Sequence, residues 1–224
     1  MDIWHHRRQA DEWLRNELAD EGSVIEEGLE LLDRATAEFN VAVSRAGSEL
    51  AGEFLAATGL AVAKGRNLFL ASYSLVLDSL AQEAGAVLRP LVEAIEVLEY
   101  LYQDPTRASA ALGGDLPKAG AIAKAIEGQY RDVRDYANAH ASHLSFGAQS
   151  MRALLDDEGR SFRAVRPATP DLLRRNLYHL AHFQRQLVTW AVSCLYGGEH
   201  EVPGLAHDAE RWKERSERVF QDDG

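Results

Sequence analysis

Cysteine and proline are both scarce in this chain of 224 residues. Cys194 is the single cysteine, so no disulfide can form within the chain, as is typical of proteins that work in a reducing compartment. The 6 prolines do not cluster into a segment that could link two domains. We therefore expect a single domain over residues 1–224 and a cytoplasmic location.

Long apolar runs are absent as well. The most apolar stretch, residues 67–80, is interrupted by Ser72, Ser74 and Asp78, whereas a membrane-spanning helix needs about 20 consecutive apolar residues. The beginning of the chain is mostly polar and lacks the apolar core of a signal peptide. These features predict a buried core helix over 67–80 and no membrane partner.

Basic residues are also fewer than acidic ones. Lys and Arg total 24 and Asp and Glu total 35, which gives a formal net charge of -11. Proteins that coat nucleic acid nonspecifically usually present a basic surface, since contacts to phosphate dominate their affinity. The composition therefore argues against a general DNA- or RNA-coating function, while a small basic cleft stays open. Most basic residues are Arg, whose planar guanidinium suits two-point contacts to phosphate or carboxylate.

Residues with high helix propensity dominate the composition of the chain. Ala, Leu, Glu and Arg are abundant, hydrophobic residues make up 46% of the chain, and alternating runs rich in Val, Ile and Thr are almost absent. We expect an all-α fold: a helical bundle with long antiparallel helices and a peripheral C-terminal helix. The three-to-four-residue apolar spacing predicts helices over about 4–20, 24–57, 60–85, 88–102, 117–144, 170–195 and 203–220.

Glycine pairs and other breakers set the expected helix ends. Thr58-Gly59 is predicted to separate the second helix from the third. Gly113-Gly114 and Gly197-Gly198 are predicted to end later helices, and Thr169-Pro170 to begin one.

The stretch Tyr130-Arg-Asp-Val-Arg-Asp-Tyr-Ala-Asn-Ala-His140, within the helix predicted over 117–144, concentrates polar and aromatic groups. Tyr136, His140 and His143 follow an i, i+4, i+7 spacing, so their side chains project from one side of that helix. Arg134 precedes His140 by six residues, which on an ideal helix is roughly 120° around the axis and ~9 Å along it. The two could reach one phosphate through the length of Arg134, a local bend or a second subunit.

The segment 134–140 resembles the motif of the HEPN superfamily (higher eukaryotes and prokaryotes nucleotide-binding domains), whose members are small helical bundles. That motif is an Arg, a polar residue and then a His after four to six intervening residues, and here the polar residue is Asp135. Residues 88–95 also look like the helix that precedes the motif in a group of HEPN-like bacterial proteins. The resemblance covers roughly residues 60–150, with helical extensions expected on both sides.

The resemblance implies a metal-independent endoribonuclease or toxin, built as a homodimer and acting in phage defence or a stress response. It implies RNA as substrate, an antitoxin or other regulator protein as partner, and neither a metal nor another cofactor. Carried over to this chain, His140 is the acid or base, and Arg134 stabilises charge on the phosphate. Asp135 or Asn138 orients the histidine, Tyr136 contacts a base or the phosphate, and His143 supports the site.

A noncatalytic helical interaction or scaffold module is the alternative. A helical His at the edge of an apolar face is commonly a hydrogen-bonded core residue. Arg–His pairs at this spacing also arise by chance, since Arg174 with His179 and Arg175 with His182 fit the same pattern. In this interpretation Arg134 and His140 are structural.

Two His-x-x-His pairs, His140/His143 and His179/His182, allow a third interpretation as a metal-binding helical bundle. Each pair spans about one helical turn, so four imidazoles on two packed helices could bind zinc or another transition metal. Neither pair is part of a Glu-x-x-His sequence, so the di-iron carboxylate signature is missing.

Two further features have simpler structural explanations. Glu93 and Glu96 could form a carboxylate pair, although a solvated face or a salt bridge to Arg89 is the commoner arrangement on a helix. Cys194 lies near no partner for nucleophilic catalysis and is expected to be a small buried hydrophobe.

Overall fold

The computed structural model describes residues 4–128, 130–140 and 168–221. These residues form nine α-helices and one 3₁₀ turn, with no β-strand among them, which confirms the all-α expectation. The helices are α1 (His5–Arg15), α2 (Ala19–Arg45), α3 (Glu49–Leu77), α4 (Ala81–Gln103), α5 (Ala108–Leu112), α6 (Ala119–Ala125), α7 (Arg131–His140), α8 (Pro170–Gly197) and α9 (Pro203–Val219). The 3₁₀ turn is Pro105–Arg107.

Four long helices, α2, α3, α4 and α8, pack against one another and enclose the core. Short connections join α2 to α3 and α3 to α4, so these neighbours run antiparallel, as predicted for a bundle. Each large apolar side chain that is fully buried contributes about 1.5–3 kcal/mol relative to an exposed one. The largest fully buried side chains on these four helices are Ile25, Leu32, Phe54, Leu55, Phe69, Leu91, Ile95, Leu98, Leu101, Leu177 and Leu187.

The last helix, α9, packs on the outer side of α2 and α8. It inserts Trp212, whose indole Nε1 donates a 2.8 Å hydrogen bond to the carbonyl oxygen of Val24. Ion pairs of Arg215 with Glu27 and of Arg34 with Asp208 join α9 to α2. None of the helices in the described ranges has the length and apolar character that crossing a membrane requires.

The chain does not break at Thr58-Gly59, so that prediction is wrong. Both residues lie inside α3, where the Thr58 hydroxyl is buried and donates a 2.7 Å hydrogen bond to the carbonyl oxygen of Phe54. The break comes earlier, between α2 and α3. There the Ser48 side chain caps α3 by accepting a 3.2 Å hydrogen bond from the Ala51 amide.

The prediction of a single helix over 117–144 is also wrong, because the described residues of this range form two helices. Helix α6 ends at Ala125, and α7 begins at Arg131 after a turn in which Glu127 has a φ of 51°. The apolar stripe inferred across this region therefore belongs to two separate helices. Residues 141–144 of the predicted helix lie outside the described residues.

Four described residues adopt the left-handed backbone conformation, and all of them follow the end of a helix. In each case the next amide bonds to the carbonyl oxygen five residues earlier, as in the Leu80-to-Leu75 bond of 2.8 Å, which defines a Schellman cap. Only one of the four is glycine, although glycine takes this conformation without steric conflict. The residues are Ser79 (φ 62°), Gly114 (φ 85°), Glu127 (φ 51°) and Glu199 (φ 60°).

The two glycine pairs that were predicted to end helices differ in which residue takes the left-handed conformation. Gly114 takes the left-handed position after α5, as the pair Gly113-Gly114 suggested. Helix α8 ends at Gly197, and Gly198 is its C-cap. The left-handed residue is the next one, Glu199. Gly198 instead provides room for Leu55, whose Cδ2 would lie 2.4 Å from a Cβ at that position.

We predict that Ser79→Gly stabilises the protein by about 1 kcal/mol, because it relieves a left-handed serine at a helix end. It also removes the Ser79 hydroxyl, which is buried without a hydrogen-bond partner among the described residues. Urea denaturation measures the change. As a control, Ser44→Gly, at an exposed position in α2, should lower stability, and a loss in both variants would contradict the prediction.

We predict that Gly28→Ala destabilises the protein by about 2–3 kcal/mol through overpacking. A Cβ on Gly28 would lie 2.5 Å from Gln184 Cδ and 2.5 Å from Trp212 Cζ2, so α8 and α9 would have to move away from α2. Gly52→Ala is the matched control, because its nearest neighbour would be Ala46 Cβ at 3.5 Å. Thermal unfolding should show a lower midpoint for Gly28→Ala alone, and equal midpoints would refute the packing argument.

Candidate functional site

Helix α7 carries most of the predicted site. It runs without interruption from Arg131 to His140, so the backbone keeps Arg134 and His140 on one helix. Their positions are therefore separated by ~9 Å along the axis and by roughly 120° around it. The side chains of residues 136–140, and the whole of His143, lie outside what the structure describes, so the roles predicted for Tyr136, Asn138, His140 and His143 stay predictions.

The Arg134 side chain packs against α4 and forms an ion pair with Glu96. Arg134 Nη1 donates to Glu96 Oε1, and the exposed fraction is 15% for the Arg134 side chain and 1% for that of Glu96. Arg134 Nε and Nη2 bond to no acceptor within the described ranges. Among the residues that the structure describes, the guanidinium is therefore held through one nitrogen, and the edge formed by Nε and Nη2 contacts no acceptor.

Glu96 is buried and paired with Arg134, whereas the sequence had suggested a solvated face, a salt bridge to Arg89 or a carboxylate pair with Glu93. It lies on α4 between Ile95 and Val97, and its Oε2 has no hydrogen-bond partner in the described part of the chain. Burial has the largest effect and raises the pKa of the Glu96 carboxyl, the hydrogen bond and charge of Arg134 lower it, and the charge of Glu93 raises it, so that the net shift is upward. Its position in the sequence could have indicated this burial, because Glu96 lies four residues after the buried Val92, within the apolar stripe of α4.

A glycine leaves space for this carboxylate. A Cβ on Gly128, in the turn between α6 and α7, would lie 2.9 Å from Glu96 Oε1. The turn, the first part of α7 and the middle of α4 thus meet at one buried carboxylate.

The other carboxylates of α4 have separate environments. Glu93 forms a 3.1 Å salt bridge with Arg89, the commoner of the arrangements expected for it. Burial, followed by the charge of Glu96, raises the pKa of Glu99. Glu93 and Glu96 therefore do not act as a matched pair, because one binds Arg89 and the other binds Arg134.

Asp135 forms an ion pair on its own helix. Its carboxylate lies 3.7 Å from Arg131 Nε in an ion pair whose side chains are 83% exposed for Arg131 and 68% exposed for Asp135. Such an exposed pair on one helix contributes little to stability. Whether Asp135 also orients His140 stays a prediction.

The two chance matches to the Arg–His pattern lie on α8. Arg174 Nε forms a 2.8 Å salt bridge with Glu21 of α2. The His179 ring packs edge-on against Tyr178 with centroids 5.4 Å apart, on the exposed side of the helix. Arg174 and His179 thus engage different neighbours.

His179 and His182 were also predicted as metal ligands. Partial desolvation, and then the positive charges of Arg175 and Arg185, lower the pKa of these two imidazoles. No group of three or more potential metal ligands occurs within residues 4–128, 130–140 and 168–221. The side chains of the second pair, His140 and His143, lie outside the described side chains, so the four-histidine site stays a prediction.

Cys194 is a buried hydrophobe, as predicted. It is fully buried in α8, and burial raises the pKa of its thiol to about 12. A thiol with this pKa is almost entirely protonated at neutral pH and is a poor nucleophile.

In comparisons with the models of known protein families, with curated proteins and with solved structures, no match to this chain was found. The HEPN resemblance therefore rests on the residues of α4 and α7 quoted above.

We predict that Arg134→Met destabilises the protein by about 3 kcal/mol at neutral pH, because it leaves Glu96 buried without its counter-charge. The pKa of folded Glu96 is already raised, so stability is lost as pH rises through that pKa. Without Arg134 the pKa rises further. The penalty should therefore shrink between about pH 8 and about pH 5, as Glu96 takes up a proton in the folded variant.

Urea denaturation at both pH values measures this dependence. Arg131→Met is the matched control, since its exposed pair with Asp135 predicts a change of less than about 0.5 kcal/mol at either pH. Adding Glu96→Gln to Arg134→Met should recover stability at the higher pH. A penalty that does not change with pH would mean that Glu96 is not the group left uncompensated.

Proposed function

We propose that this protein is a HEPN-like, metal-independent endoribonuclease or toxin that uses His140 and Arg134. The observation that supports the proposal is the state of Arg134: its guanidinium is anchored to Glu96 through Nη1, while Nε and Nη2 bond to no acceptor among the described residues. Two such nitrogens form the planar edge that binds two phosphate oxygens. Anchoring also reduces the rotamer freedom that phosphate binding would otherwise remove.

The chemistry of this site is transesterification within RNA. The ribose 2′-hydroxyl attacks the adjacent phosphorus, the bond to the 5′-oxygen breaks, and a 2′,3′-cyclic phosphate and a 5′-hydroxyl form. His140 takes the proton of the attacking hydroxyl or supplies one to the leaving oxygen, because histidine is the side chain that commonly gains and loses a proton near neutral pH. Arg134 stabilises the negative charge that develops on the non-bridging oxygens.

A second copy of the chain completes the site in this proposal. The positions of Arg134 and His140 are roughly 120° apart around α7, so two copies of the helix that face each other across a cleft bring the two residue types together. A homodimer in the cytoplasm, with an antitoxin or regulator that covers the cleft, fits a function in defence or stress response. The net charge of -11 restricts RNA binding to a local cleft.

We predict that His140→Ala lowers RNA cleavage by about 100-fold or more while the protein stays folded. The measurement is the rate of appearance of cyclic-phosphate ends on a labelled RNA, with EDTA present to exclude contaminating metal-dependent nucleases. His179→Ala is the matched control, because Arg174 and His179 fit the same pattern on α8 and should leave cleavage unchanged. A His140→Ala protein that cleaves at the wild-type rate would rule out the proposed mechanism.

A noncatalytic interaction module is the second candidate, and the Arg134–Glu96 pair also favours it. An arginine side chain that is 15% exposed and paired with a carboxylate of the same chain can act only to stabilise the bundle. In that case the wild-type protein cleaves no RNA, and Arg134 substitutions change stability without changing any catalytic rate.

A further inference from the structure

We infer that Glu96 is the positioning residue of the site: it orients Arg134 so that the Nε–Nη2 edge of the guanidinium faces the scissile phosphate. This inference rests on the proposed ribonuclease function. It assigns to α4 a part in the reaction that the Arg–His motif on α7 does not include.

The first argument is that Glu96 is an immobile anchor. Its side chain is 1% exposed, and the neighbouring residues Ile95 and Leu98 are fully buried in the core. The surrounding core therefore restricts the rotamers that the Glu96 side chain can take. An arginine on a helix near the surface otherwise samples many rotamers, which would weaken the alignment that phosphoryl chemistry needs.

The second argument is the geometry of the contact. An arginine and a carboxylate that serve only each other commonly use two parallel hydrogen bonds, which occupy two donors and both oxygens. Here one hydrogen bond joins Arg134 Nη1 to Glu96 Oε1, and Glu96 Oε2 has no partner among the residues that the structure describes. The contact restrains the guanidinium and leaves Nε and Nη2 without an acceptor in the described part of the chain.

The third argument is that the backbone is built to admit this carboxylate. Gly128 allows Glu96 Oε1 to lie where a Cβ on that residue would come within 2.9 Å of it. A Cβ on Gly128 would also lie 3.3 Å from the Ala123 carbonyl oxygen, which is backbone and cannot swing away. A residue other than glycine at position 128 would therefore displace Glu96 or the start of α7, and Arg134 would move with it.

Chemical rescue of a missing guanidinium tests the inference. Arg134→Ala should lower cleavage by about 100-fold or more. Guanidinium chloride at millimolar, non-denaturing concentration should restore part of that rate, because the Glu96 carboxylate still binds a guanidinium ion. The double variant Arg134→Ala with Glu96→Gln should show no rescue, and tetramethylammonium chloride at equal concentration should rescue neither.

Single variants supply a second measurement. Glu96→Gln and Gly128→Ala should lower kcat by about 10- to 100-fold with a smaller change in KM, since both misalign Arg134 without removing it. The folded fraction of each variant is measured by circular dichroism under assay conditions, and rates are expressed per folded molecule. Glu93→Gln is the matched control on the same helix and should cleave as the wild type does.

The outcomes separate this inference from the proposed function. Wild-type protein without RNA cleavage, or unchanged cleavage by His140→Ala, overturns the proposed function and the inference together. Cleavage that needs His140 and Arg134 but is unchanged per folded molecule in Glu96→Gln overturns the inference alone. Equal guanidinium rescue of the Arg134→Ala and double variants does the same.

Discussion

Helix α3 can pack on several sides because the polar side chains that it buries, Thr58 and Ser72, hydrogen-bond within the helix itself. The Thr58 hydroxyl donates to the Phe54 carbonyl oxygen at 2.7 Å, and the Ser72 hydroxyl donates to the Leu68 carbonyl oxygen at 3.0 Å. A buried hydroxyl without such a partner would cost about 1–3 kcal/mol. With these groups satisfied, α3 packs against α2, α4 and α8 at once.

The candidate site depends on this core through α4. One face of α4 contributes Leu91, Ile95 and Leu98 to the core, and the same helix holds Glu96 against α7. A buried carboxylate is tolerable only with a counter-charge, so Arg134 links α7 to α4. The same ion pair therefore serves the fold and fixes the direction of the guanidinium on which the proposed chemistry depends.

The fold class could be predicted from the composition and from the helical spacing of apolar residues. The positions of the helix ends could not. Thr58-Gly59 has the residues of a stop, but the hydrophobic packing of α3 outweighs their low helix propensity. The glycines at 28 and 65 likewise serve close packing, since a Cβ at either would come within 3.0 Å of Gln184 or Leu187 on α8. Conversely, Ser79, Glu127 and Glu199 end or follow helices in a conformation that favours glycine, so local propensity gave no signal there.

The sequence alone determined an all-helical bundle, a buried unreactive Cys194 and a helix with Arg134 and His140 six residues apart, because apolar period, residue chemistry and helical geometry are local properties. Tertiary structure decided that Glu96 turns inward to Arg134. The pairs of Glu93 with Arg89 and of Asp135 with Arg131 join residues four apart on one helix, so helical spacing alone allows them. All three acidic residues look alike in the sequence. The partner of Glu96 lies 38 residues away in the chain, and only packing determines which carboxylate is buried and needs a cation beside it.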